Sequence, residues 1–211
     1  MSNPCPYCEE FEEGFLRVEG ENLGNRILLE TPDFVVFPTL GCFVEGYLLI
    51  ATRVHYVGIG QMPSTLNQEL EKIQKKVRDA LSTIYGVSPV FFEHGSVSTE
   101  KCGGNSIFHA HLHALPVEVD VVGELSQRFS CEPITDLARL QSIHSDGSPY
   151  LFWENGNGSR FVFKVTSEIP SQFLRQLIAE KLGIPKRWNW RTYPGLEEMK
   201  RTIGALQGQF T

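Results

Sequence analysis

Apolar and polar residues alternate most regularly between residues 107 and 116, in the segment Ile-Phe-His-Ala-His-Leu-His-Ala-Leu-Pro. Three histidines, His109, His111 and His113, stand at every second position, with apolar residues between them. A period of two is typical of a β-strand, so the pattern predicts that the three imidazoles share one face. Each imidazole is costly to bury unless its ring nitrogens find partners. The segment therefore predicts a functional surface.

Other apolar positions predict the elements around this strand. Three short apolar runs separated by turn residues predict antiparallel strands at 26–30, 34–37 and 47–51. Leucine, isoleucine and valine recur every three or four residues from Leu66 to Ile84, which predicts an amphipathic helix capped by Ser64 and ended by Gly86. A further strand is predicted from Val87 to Glu93. The expected fold is α+β, with an antiparallel sheet of about five strands and one long amphipathic helix.

The pattern changes after about residue 117. Two apolar runs, 150–153 and 160–165, flank Asn-Gly-Asn-Gly and predict a hairpin. Helices are predicted from Pro170 to Leu182 and from Gly195 to Leu206. With no linker-like stretch and no repeat, we predict a histidine-containing domain over residues 1–116 and, over 117–211, a C-terminal α/β extension packed on it.

Composition and charge narrow the functional classes. The formal net charge of −6 argues against attraction to nucleic acid or to an anionic membrane. No apolar run approaches the roughly 20 residues of a membrane span, and the N-terminus has no basic-then-apolar signal pattern, so we expect a cytoplasmic protein. Five cysteines are an odd number, and a reducing compartment favours thiols or metal ligands over disulfides.

The spacing of Cys5 and Cys8 is that of half a zinc site or of a redox pair. Acidic residues follow the pair where a redox motif would be expected beside a βαβ unit, so we favour a half-site that needs two more ligands. His55, just after the third predicted strand, is a candidate. A chance pairing of two cysteines is the alternative.

The histidine row supplies the other candidate. Same-face neighbours on a strand lie roughly 6.6–6.8 Å apart, so His109 and His113 are too far apart to share one ion. We therefore predict a closed Cys2His2 zinc site of Cys5, Cys8, His55 and His109, which leaves His111 and His113 for chemistry. An open catalytic metal on the histidine row is the alternative.

A neutral imidazole is a good nucleophile near neutral pH, and its attack on phosphorus gives a phosphoramidate that water or another acceptor can break. Such a site needs hydrogen-bond donors around the phosphate. The loop before the histidine strand contains Lys101, Gly104, Asn105 and Ser106, and its glycines let backbone N–H groups approach an anion. We therefore expect Gly104 and Lys101 among the substrate contacts.

His109-Ala110-His111-Leu112-His113-Ala114-Leu115 is the His-φ-His-φ-His-φ-φ signature of the histidine triad (HIT) superfamily, and residues 4–116 resemble that superfamily. The resemblance implies that His111 is the nucleophile that takes up a nucleoside monophosphate. It also implies that His113 contacts the phosphate and that Ser106 stands near the leaving group. Zinc-binding members use ligands that correspond to Cys5, Cys8, His55 and His109.

Three positions differ from the family pattern. Asn105 stands where many members carry the longer glutamine, and Tyr47 stands where several carry a histidine. The ribose-binding side chain of the family falls near Thr39. The extension has no counterpart in the small phosphoramidase branch, and its Arg175 and Arg191 are either phosphate contacts or solvated surface residues.

The resemblance implies a hydrolase acting at the α-phosphate of a nucleotide conjugate, such as a dinucleoside polyphosphate or a nucleoside phosphoramidate. A nucleotidyltransferase or phosphorylase would share the first step. A non-catalytic nucleotide-binding module with a structural zinc is the third alternative. A homodimer is expected, as in many superfamily members, unless the extension imitates the second half and leaves a monomer.

Overall fold

A computed structural model describes residues 5–18, 21–100 and 103–210. Across this part of the chain, eight strands form one sheet in the order β3-β4-β5-β7-β6-β9-β10-β8, and every neighbouring pair is antiparallel. A separate hairpin joins β1 and β2. The strands are β1 (Arg17–Val18), β2 (Glu21–Asn22), β3 (Leu29–Glu30), β4 (Phe34–Pro38), β5 (Leu48–Thr52), β6 (Val90–Gly95), β7 (His111–Leu115), β8 (Ser130–Ile134), β9 (Tyr150–Glu154) and β10 (Arg160–Lys164).

The same residues form six α-helices, so the predicted α+β class is confirmed. The helices are α1 (Pro6–Glu13), α2 (Asn67–Tyr85), α3 (Val122–Arg128), α4 (Ala138–Ser145), α5 (Phe173–Lys181) and α6 (Leu196–Leu206). None of these helices combines the length and the apolar composition that crossing a membrane requires.

The long helix α2 agrees with its predicted periodicity, because Leu70, Ile73, Val77 and Leu81 are all buried. It ends at Gly86, whose φ of +71° favours glycine. The start differs from the prediction. Ser64 begins a short 3₁₀ turn, and α2 starts after that turn with no side-chain cap.

The sheet buries both faces, and alternate residues of each strand enter different apolar clusters. On β7, Leu112 and Ala114 pack with α2, whereas His111 and His113 pair across β5 with Ala51 and Leu49 of the opposite cluster. That opposite cluster includes Leu174 and Ile178 of α5. The predicted alternation is therefore present in β7, although His109 precedes the strand.

The first part of the chain supplies five strands of the sheet, as predicted, and the extension continues it. Strand β6 pairs with β9, with Phe92 opposite Trp153. At the end of β9, the carboxylate of Glu154 accepts hydrogen bonds from Arg78 and Gln74 of α2 and pairs with Arg160 of β10. The division at residue 117 stays a prediction.

Candidate functional site

Four side chains meet beside the N-terminal helix. Cys5, Cys8, His55 and His109 bring their sulfur and nitrogen atoms within 4.8 Å of one another. The Cys5 sulfur lies 3.4 Å from Nδ1 of His109, and the Cys8 sulfur lies 3.4 Å from Nδ1 of His55. Pro6 starts α1 directly after Cys5, so one helical turn carries both thiols to the same place. The structure thus brings together the four predicted ligands.

The protonation of His109 suits a metal ligand. Its Nε2 lies 2.6 Å from the carbonyl oxygen of Thr52, so Nε2–H donates there and the Nδ1 lone pair faces the thiols. Tetrahedral bonds of about 2.0–2.3 Å place neighbouring donor atoms roughly 3.3–3.8 Å apart. The distances from Cys5 to His109, from Cys8 to His109 and from Cys8 to His55, which are 3.4–3.6 Å, fall in that range. Two sulfurs and two nitrogens in this arrangement could hold a metal ion.

A cleft of about 980 Å³ opens beside this cluster. Its walls come from both parts of the chain. From the first part, the lining includes Tyr7, Thr39, His94, Gly104, Asn105, Ser106, His111 and His113; from the extension, it includes Gln172, Arg175, Trp190 and Arg191. Six of the seven predicted catalytic and substrate-binding residues therefore line one cavity. The seventh, Lys101, lies outside the described residues.

His111 is held with one ring nitrogen bonded and the other available. Nδ1 lies 2.5 Å from the carbonyl oxygen of His109, so Nδ1–H donates to it. Nε2 has no hydrogen-bond partner among the described residues and carries the lone pair. Burial lowers the pKa of His111 to about 4, so the ring is neutral near pH 7. This is the form that a nucleophilic imidazole requires.

His113 is positioned by two aromatic side chains. The Tyr47 hydroxyl lies 2.8 Å from His113 Nδ1, and the Phe92 ring stacks on the imidazole at a centroid distance of 4.2 Å. Burial raises the pKa of Tyr47, so its hydroxyl keeps the proton and can donate it to Nδ1. The proton of neutral His113 is then on Nε2. Tyr47 thus fixes the tautomer of His113.

The loop before β7 is also fixed by hydrogen bonds. The Asn105 side-chain oxygen accepts a bond of 2.6 Å from the Ser96 hydroxyl, and the Ser106 hydroxyl accepts one of 3.1 Å from the indole of Trp190. Gly104 has a φ of +85°, which only glycine adopts without strain. The Thr39 hydroxyl donates to the carbonyl of Leu40.

The extension holds this loop and the neighbouring strand. The backbone N–H of Gln172 donates to the carbonyl of Gly104 at 2.7 Å, and the N–H of Leu174 donates to Nε2 of His94 at 3.1 Å. Neither His94 nor Trp190 was among the predicted site residues. An available signal was the density of aromatic residues in the segment Trp188-Asn189-Trp190. The extension is therefore part of the cleft.

Comparison with known proteins finds no matching family model. The chain aligns over 164 residues with CWF19-like protein 1 of Xenopus laevis at 23% identity, covering 72% of this chain and 28% of that relative. The chain thus spans little more than a quarter of that relative's length.

Solved structures with similar folds include several HIT proteins. A HIT family protein of Bacillus anthracis matches with a TM-score of 0.46 and 16% identity, over 69% of this chain and 96% of that one. A histidine triad nucleotide-binding protein of Sulfolobus tokodaii gives 0.44 and 18%, over 67% and 90%. A zinc-bound histidine triad protein of Mycobacterium smegmatis gives 0.42 and 14%, over 67% and 94%.

These identities and TM-scores are too low to transfer chemistry from the similar proteins to this chain. The chemistry of the site is therefore inferred from the residues that form it. Residues 109–115 carry the His-φ-His-φ-His-φ-φ sequence, and most of them lie on a strand of an antiparallel sheet.

Proposed function

We propose that the protein is a nucleotide-conjugate hydrolase that acts at the α-phosphate through a covalent nucleotidyl-His111 intermediate. The proposed substrates are dinucleoside polyphosphates and nucleoside phosphoramidates. One observation carries the proposal: His111 is neutral, its Nδ1–H is bonded to the His109 carbonyl, and its Nε2, which has no hydrogen-bond partner among the described residues, carries a lone pair in the wall of a large cleft.

The reaction divides into two displacements at phosphorus. In the first, the Nε2 lone pair of His111 forms an N–P bond while the bond from phosphorus to the leaving group breaks and its electron pair departs with that group. In the second, a water oxygen bonds to phosphorus, the N–P bond breaks with its electron pair returning to Nε2, and the water proton passes to solvent. The products are a nucleoside monophosphate, the free leaving group and neutral His111.

The other predicted residues would contact the phosphate, the leaving group and the ribose. The Nε2–H of His113 would donate to a phosphate oxygen. The Ser106 hydroxyl, which accepts from Trp190, keeps its own hydrogen for the leaving group. Gly104 and Asn105 would provide backbone contacts, and Thr39 would face the ribose. Lys101 stays a predicted substrate contact.

We further propose that the metal held by Cys5, Cys8, His55 and His109 is zinc and that it is structural. All four positions are taken by protein ligands, which is the arrangement of a closed site. Zinc there would join α1 to the segments that carry His55 and His109. Location in the cytoplasm and assembly as a homodimer stay predictions.

The proposal is tested with diadenosine tetraphosphate and an adenosine phosphoramidate in ¹⁸O-labelled water. We expect wild type to release AMP that contains one ¹⁸O atom, and His111→Ala to release none. Formation of ADP with added inorganic phosphate, or of an ADP-sugar with an added sugar phosphate, in place of labelled AMP would assign a transferase instead. Binding of both compounds without turnover would favour the binding module.

A further inference from the structure

Arg175 on helix α5 lines the cleft and is only 3% exposed. Its Nε–H donates to the carbonyl of Trp188 at 3.0 Å, and one Nη2–H donates to the carbonyl of Gly41 at 2.6 Å. The guanidinium also lies 5.1 Å from the ring centres of Phe43 and Tyr47. Three of its five N–H bonds remain after the two carbonyls are served.

No acidic residue in the described part of the chain forms an ion pair with Arg175. Arg26 lines the same cleft and is equally buried, yet both oxygens of Glu10 accept its hydrogen bonds at 2.6–2.7 Å. A buried, unpaired cation is costly, so the contrast indicates that an anion completes the Arg175 site.

The cleft provides that anion with a way in. Arg175 lines it together with His94, His111 and His113. Burial lowers the pKa of His94 and of His113, and the positive charge of Arg175 lowers both further. Arg175 is therefore a positive charge in the same cleft as the proposed nucleophile, and no ion pair among the described residues neutralises it.

We propose that Arg175 binds the phosphate of the nucleotide substrate, so that the extension supplies the charge that the histidine row lacks. This inference rests on the proposed function, because it identifies the anion as the phosphate attacked by His111. A guanidinium matches two phosphate oxygens with parallel N–H bonds, and the remaining N–H groups of Arg175 allow this. The ligand class is a nucleoside phosphate.

Binding is measured by calorimetry in the His111→Ala background, which removes turnover from every sample. AMP and uncharged adenosine are titrated into the parent and into Arg175→Met. We expect AMP to bind at least about 30-fold more weakly to the Met variant, and adenosine to change less than about twofold. Arg175→Lys, which keeps the charge but loses the planar fork, should be intermediate.

Arg128→Met is the matched control, because Arg128 is an exposed arginine that packs on Phe173 of the same helix. It should bind both ligands as the parent does. Unchanged AMP binding in Arg175→Met, or an equal loss for AMP and adenosine, would overturn the proposal. If Arg175→Met does not fold, a Lys variant that binds AMP like the parent would overturn it.

The result also separates this inference from the proposed function. A parent that binds AMP through Arg175 while wild type hydrolyses no conjugate would uphold the phosphate site and contradict the hydrolase. If wild type hydrolyses a conjugate but the change of Arg175 leaves AMP binding unaltered, the hydrolase is upheld and the phosphate site is contradicted. Absence of AMP binding in the parent would overturn the phosphate site.

Discussion

His109 and His111 are two residues apart, burial lowers the pKa of both to about 4, and yet they present opposite ring nitrogens. The Nε2–H of His109 donates to Thr52, so its Nδ1 faces the two thiols. The Nδ1–H of His111 donates to the His109 carbonyl, so its Nε2 carries the lone pair in the cleft, where no described residue hydrogen-bonds to it. The backbone partner of each ring thus decides which lone pair it offers. One histidine is suited to a metal and the other to phosphorus.

We therefore expect substitutions in the metal cluster and substitutions in the cleft to impair different properties of the protein. Damage to the metal cluster should act mainly on stability, and damage to the cleft should act mainly on turnover.

The largest expected effect is that of His111→Ala. Because the nucleophile is lost, turnover of the conjugates should fall by more than about 10³-fold. The melting temperature should fall by only a few degrees, because the change removes one buried ring and its Nδ1–H hydrogen bond to the His109 carbonyl. The assays are initial rates and thermal unfolding. His144→Ala removes a partly buried histidine outside the cleft and should retain the rate; equal loss in both variants would contradict the assignment.

The double change Cys5→Ser with Cys8→Ser should remove the bound metal. Because α1 would lose its link to His55 and His109, we expect the melting temperature to fall by about 10 °C or more. Bound metal is measured by atomic emission and stability by calorimetry. Cys131→Ser, at a partly exposed thiol on β8, is the control. Full metal content in the double variant would remove these cysteines from the cluster.

Glu93 sharpens the comparison, because it lies on β6 outside both regions. It accepts hydrogen bonds from the N–H of Ile59 and the hydroxyl of Tyr150, and burial raises its pKa to about 7. Because the folded-state pKa of Glu93 is raised, this carboxyl group makes its full contribution to stability below about pH 4.5. That contribution is lost as the pH rises through 7.

Replacing Glu93 by Gln removes that titration. Between pH 5 and 7.5, the unfolding free energy of the variant should rise relative to wild type by on the order of 2 kcal/mol. Urea unfolding at several pH values measures this difference. A constant difference across the range would show that Glu93 does not titrate there.

The smallest expected effect is that of Tyr47→Phe, which removes the hydroxyl beside His113 Nδ1. Because the tautomer of His113 is then no longer fixed, we expect turnover to fall about 5- to 20-fold. The melting temperature should stay within a few degrees of wild type. Tyr85→Phe removes a partly buried hydroxyl outside the cleft and should keep the rate. A loss as large as that of His111→Ala would give Tyr47 a direct chemical role.

Local periodicity accounts for what the sequence could predict. Alternation over residues 111–115 separates His111 and His113 from Leu112 and Ala114, and spacings of three and four residues define α2. The Cys-x-x-Cys turn and the histidine motif are local as well. These features follow from the geometry of strands and helices, and need no knowledge of distant partners.

Contacts between distant residues account for what could not be predicted. The hydroxyl of Tyr47 reaches His113 across 66 residues of sequence, and the indole of Trp190 reaches Ser106 across 84. The pairing of β6 with β9 likewise depends on the whole sheet. The sequence pattern around Arg175 indicates only weakly that this residue is buried. It lies between Leu174 and Ile178 on the buried side of α5, where an arginine is unusual.

The most direct test of the account is intact-mass spectrometry after brief mixing with diadenosine tetraphosphate and with an adenosine phosphoramidate. Samples are quenched in alkaline denaturant, which preserves an N–P bond. We predict an added mass of one adenylyl group on wild type, located at His111 by peptide mapping, and no addition to His111→Ala. An adduct that persists in His111→Ala, or AMP release by that variant at the wild-type rate, would contradict a nucleotidyl-His111 intermediate.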